Sequence, residues 1–74
     1  MTRHGFEVTN LPNVFVNVRG VEVTIYYTEE RDGSDIYRDI EAVRIGDALV
    51  TDSGDVTYWA ETLDLYDELD MELT

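Results

Sequence analysis

The chain contains no cysteine and no lysine, and it has a single histidine and a single proline. Without cysteine there is no disulfide, no thiolate nucleophile and no thiolate metal site, and the redox compartment is left open. His4 lies four residues from the start, in a stretch where chains usually fray, so the side chain best suited to acid–base work near neutrality is badly placed for it. No apolar run approaches the roughly 18 residues of a membrane helix, and no signal-peptide core follows Met1. A soluble, cytoplasmic protein is the economical expectation.

Seventy-four residues correspond to one small domain, 1–74, with 43% hydrophobic and 30% charged residues. That balance suits a folded chain better than a disordered one. The formal net charge is −12 and the sequence pI is near 4.1. Residues 1–44 hold eight acids and all five arginines, whereas residues 45–74 hold nine acids and no cation. Such a surface repels phosphates, so direct binding to nucleic acid or to an anionic membrane is not expected. A basic protein is the natural partner.

The clearest local pattern is "VFVNVRGVEVTIYY". Two β-branched, alternating runs are separated by Arg19-Gly20, a two-residue connection whose glycine can take positive φ, and this spells a β-hairpin. "GFEVTN" before it reads as a further short strand held off the hairpin by Pro12, and "TEERDGSD" after it as a polar loop. Residues 35–45 are ambiguous. As a helix they offer Ser34 as N-cap, Ile36, Ile40 and Val43 on one face, Arg44 in the last turn and Gly46 at C′. As a strand they offer Val43 and Ile45 in alternation, continuing into "ALV" across Gly46-Asp47.

The closing stretch "ETLDLYDELDMELT" holds six carboxylates and no cation. On one continuous helix, Val56, Trp59, Leu63, Tyr66, Leu69 and Leu73 form an apolar stripe with Glu61, Asp64, Asp67 and Glu68 opposite. On a strand, Leu63, Leu65, Leu69, Met71 and Leu73 share one parity. Leu, Glu and Met favour the helix, and "DSGDVT" supplies N-caps, although carboxylates late in a helix oppose its dipole. The expected fold is therefore α+β: a small antiparallel hairpin or three-stranded meander with an amphipathic C-terminal helix. Val16, Val18, Val23, Ile25, Val43, Trp59, Leu63 and Leu69 would supply most of the core.

The hairpin, then "DIEAVRIGDALVTD", then an acidic amphipathic segment resembles small acidic phage and prophage proteins built as a short meander plus a terminal helix, among them candidates for anti-defence nucleic-acid mimics. The resemblance covers about half of the chain and implies a viral origin, with it a place in the host-cell cytoplasm, and a non-enzymatic role.

Chemistry-bearing motifs are lacking. "DGSDIYRDIE" and "DSGDVTYWAE" place glycine in the wrong slot for a calcium loop, and Ser34 and Ser53 sit where serine ordinarily caps or turns. No catalytic residue, metal site or cofactor is expected. Duplex DNA carries a phosphate per roughly 3.4 Å of each strand, and helix positions four apart lie about 6 Å apart along the axis. Glu61, Asp64 and Glu68, with Asp67, Asp70 and Glu72 beside them and Tyr58 as an aromatic anchor, could thus imitate a nucleic-acid backbone and enter a basic groove. Two alternatives compete. One is a viral structural or assembly protein that self-associates through a strand edge, making a homo-oligomer. The other is a salt-adapted domain of unrelated role.

Overall fold

The computed structural model describes residues 8–74. A four-stranded antiparallel sheet in the order β1-β2-β3-β4 is covered on one face by two short helices. The strands are β1 (Asn13–Val18), β2 (Val21–Asp32), β3 (Asp35–Ile45) and β4 (Ala48–Val50); the helices are α1 (Ser53–Thr62) and α2 (Leu65–Leu73). The α+β class and the C-terminal helical segment are as expected, with β4 extending the meander by one strand.

The hairpin of β1 and β2 forms around Arg19 (φ 54°) and Gly20 (φ 84°), both in the left-handed region that the tightest hairpin turn requires. Arginine is not at home there. Its guanidinium reaches the junction of α1 and α2, donating to the Thr62 carbonyl at 3.4 Å and lying 3.7 Å from Asp64. Asn17 Oδ1 accepts the Gly20 N–H at 3.1 Å and closes the turn from the other side.

Two expectations are corrected, and a third, left open between helix and strand, is decided. Of the strand expected in "GFEVTN", residues 5–7 lie outside the described residues, and Val8–Asn10 form a 3-10 turn closed by the Leu11 N–H on the Val8 carbonyl. "TEERDGSD" is no loop: β2 runs on to Asp32 and returns through Gly33 and Ser34, with Asp32 opposite Asp35. Its residues look loop-like because this outer half of the β2–β3 ribbon has water on both faces and needs no apolar period. Pairs such as Glu29–Arg38, 3.0 Å apart, hold it across the strands. Residues 35–45 are a strand, and the helical cues around Ser34 and Gly46 serve the turns at its two ends. Its alternation was hidden by a bulge: Tyr26 faces Ala42 and Tyr27 faces Ile40, leaving Glu41 as the extra residue. The inward set is therefore Ile40 and Val43, three apart, a spacing that mimics a helix.

The C-terminal segment is two helices, where one was expected. Leu63 and Leu65 are both buried, yet positions two apart on a helix point about 200° from each other, so one straight helix cannot bury both. The chain resolves the conflict at Asp64, whose backbone is left-handed (φ 53°, ψ 47°), a conformation that aspartate tolerates better than most residues. Asp52 caps α1 by accepting the Asp55 N–H at 3.1 Å.

The described residues share one core. Val16, Val18, Val23, Ile25, Tyr27, Ile40 and Val43 from the sheet meet Val56, Ala60, Leu63, Leu65 and Leu69 from the helices. Seven of the eight expected core residues are buried; Trp59 is only half-buried, packed at the margin with its ring edge-on to Tyr58. The opposite face of the sheet carries Phe15, Thr24, Tyr26, Ala42 and Arg44; no described helix lies over it, and Tyr26 and Ala42 are buried there while Phe15 is exposed.

Candidate acidic interface

The expected site residues fall on α1, on the break and on α2. Glu61 is exposed in the last turn of α1, and Tyr58 is 59% exposed one turn earlier. Asp64 occupies the break. Asp67, Asp70 and Glu72 are exposed on α2, while Glu68 is half-buried. The left-handed turn at Asp64 interrupts the helical rise on which an evenly spaced row through Glu61, Asp64 and Glu68 depended, so the carboxylates form two short groups at an angle.

Two of them already have partners. Asp64 lies 3.7 Å from the Arg19 guanidinium, and Asp70 lies 3.6 Å from that of Arg38. Arg38 is largely buried against the ribbon and also holds Glu29 at 3.0 Å, so it bridges β2 and α2. Tyr66, expected on the apolar stripe, is instead 46% exposed; its hydroxyl accepts the Ile40 backbone N–H at 3.1 Å, beside the bulge. These contacts dock α2 to the sheet. Of the expected site's carboxylates, Glu61, Asp67, Glu68 and Glu72 have no ion pair among the described residues.

A second acidic surface was not foreseen. The outer ribbon of β2 and β3 places Glu30 opposite Tyr37, Asp32 opposite Asp35 and Thr28 opposite Asp39, all on the face turned away from the helices. Glu41 in the bulge accepts the Thr28 hydroxyl at 3.2 Å on the same side. The cations of the ribbon, Arg31 and Arg38, lie on its other face with Glu29. The only available signal for this surface was the strand register, which a polar, non-alternating segment does not reveal.

Among the described residues no group of three or more acids or histidines is arranged to hold a metal ion, and no helix is long and apolar enough to cross a membrane. No buried side-chain polar atom among them lacks a hydrogen-bond partner. No family model, curated protein or solved structure matches the chain.

Proposed function

We propose that this is a non-enzymatic acidic binding protein whose C-terminal carboxylates occupy a basic groove on a partner protein, in the manner of a nucleic-acid backbone. The observation that carries this reading is the sorting of charge around the helices. The arginines that reach the helical layer, Arg19 and Arg38, approach from the sheet and engage Asp64 and Asp70. The helices themselves carry no cation, so Glu61, Asp67, Glu68 and Glu72 present negative charge alone, beside exposed Tyr58. Attraction to an arginine- or lysine-lined groove would be fast and weakened by salt. A viral inhibitor of a nucleic-acid-binding protein is the role this chemistry suits best.

The test is competition. Known DNA-binding proteins of bacterial hosts, loaded with a labelled duplex, are titrated with the protein at about 50 mM and about 500 mM NaCl. Release of duplex at low salt, lost at high salt and lost in a variant combining E61Q, D67N, E68Q and E72Q, supports the proposal. Equal release by the variant contradicts it.

Salt adaptation is the second reading, favoured by one observation: the carboxylates of the outer ribbon spread negative charge beyond the C-terminal helices. In that case the acids hold hydration and address no partner.

A further inference from the structure

We propose that the outer edge of β1 pairs with the same edge of a second copy, joining two sheets into one of eight strands about a two-fold axis through Phe15. This inference is independent of the carboxylate face and stands or falls separately from it.

The first observation is the state of that edge. β1 ends the sheet, and no described strand lies beyond it. Native sheets blunt free edges with charges, proline or very short strands. The other described edges follow that rule. The free edges of the outer ribbon carry Glu29, Glu30, Arg31 and Asp32 on β2 and Asp35, Arg38 and Asp39 on β3, and β4 is three residues long. β1 is six residues, "NVFVNV", with no charge and no proline. In a chain of net charge −12, an uncharged strand lets two copies meet without setting carboxylates of the paired strands against each other.

The second observation is hydrogen-bond parity. The Tyr27 N–H donates to the Pro12 carbonyl at 3.0 Å, and the two-residue turn at Arg19-Gly20 makes Val18 and Val21 a hydrogen-bonded pair. Even-numbered residues of β1 therefore bond to β2, and Asn13, Phe15 and Asn17 direct their N–H and C=O groups outward.

The third is symmetry. Asn13-Val14-Phe15-Val16-Asn17 reads identically in both directions. A two-fold interface must be self-complementary, each residue meeting its mirror position. Antiparallel pairing centred on Phe15 places Phe15 beside Phe15 of the second copy, Asn13 beside Asn17, and Val14 beside Val16. The outward groups then meet one another in register, forming roughly six backbone hydrogen bonds by the pairing rule for antiparallel strands. Val16 and Val18 face the core, so Phe15, 59% exposed, projects from the face opposite the two described helices. The two rings stack there as a cross-strand aromatic pair. The helical layers of both copies lie on the same side of the joined sheet, so the dimer strengthens as salt screens them.

Sedimentation equilibrium on the wild type, F15K and L49K tests this, with circular dichroism reporting folding. F15K sets two like charges side by side at the axis; L49K makes the same charge change on a residue of β4 on the same face. The expected result is a wild-type dimer at high protein concentration, favoured by salt. F15K should raise its dissociation constant at least about tenfold, and L49K should leave it near wild type. Both variants lower the net negative charge, so weaker association of F15K alone has no explanation in overall repulsion. A wild type that stays monomeric at about 1 mM in about 1 M NaCl, or a dimer that F15K leaves intact, overturns the proposal. Should F15K fail to fold, amide exchange of the wild type decides. The N–H groups of Asn13, Phe15 and Asn17 should exchange more slowly as protein concentration rises, and concentration-independent exchange at those three overturns the proposal.

Discussion

At the scale of single residues, the fold depends on a few side chains whose neighbours in sequence disguise them. Leu65 is fully buried although it lies between two exposed residues, Asp64 and Tyr66, and it fits no continuous helical stripe. L65A should cost about 2–5 kcal/mol in urea unfolding, the range for a large side chain deleted from a packed core. Asp64 sits in a left-handed conformation, so D64G should relieve roughly 1 kcal/mol of backbone strain. The Arg19 pair that D64G removes joins two side chains 64% and 67% exposed and contributes little. D64G is therefore expected to be neutral or slightly stabilising, and D64A destabilising, by thermal melting. Y66F leaves the Ile40 N–H without its acceptor and should cost about 1 kcal/mol, read by the same unfolding experiment.

At the scale of elements, the β1–β2 hairpin was legible because its alternation, turn length and glycine all agree. Core residues Val16, Val18, Val23 and Ile25 followed from it directly. The rest of the sheet was less legible for a physical reason: the bulge at Glu41 breaks the two-residue period, so Ile40 and Val43 imitate a helical spacing. The helical break was hidden in the same way, since Leu63 and Leu65 point inward only because the chain reverses phase at Asp64. For the candidate site, the residues were legible and their arrangement was not. Which carboxylates meet Arg19 and Arg38 depends on contacts across 45 and 32 positions of sequence. The outer ribbon gives an element-level prediction. Residues 29–37 are all exposed and Glu30–Tyr37 is a hydrogen-bonded pair, so replacing Arg31–Ile36 by Asn-Gly should shift the melting temperature by no more than about 5 °C, as surface changes do. A collapse of the fold would show that the ribbon supports the core.

At the scale of the whole molecule, the dominant quantity is the net charge of −12. Self-repulsion of that size destabilises a compact chain, and salt relieves it. Two bodies of carboxylate, one on the helices and one on the outer ribbon, lie on opposite sides of a slab measuring 36 × 34 × 19 Å. Recognition and solvation make opposite demands on such a surface. A binding protein must be folded at the salt concentration where its attraction to a basic groove is strongest, whereas a salt-adapted protein folds only when its carboxylates are screened and hydrated.

Circular dichroism melting from about 20 mM to about 3 M NaCl separates the two most directly, because it spans screening lengths from over 20 Å down to a few ångströms. The proposed function predicts a cooperative melt already present in dilute salt, with a midpoint that rises only modestly as salt is added. A chain unfolded in dilute salt that folds only as salt approaches molar concentration would contradict it and assign the carboxylates to solvation.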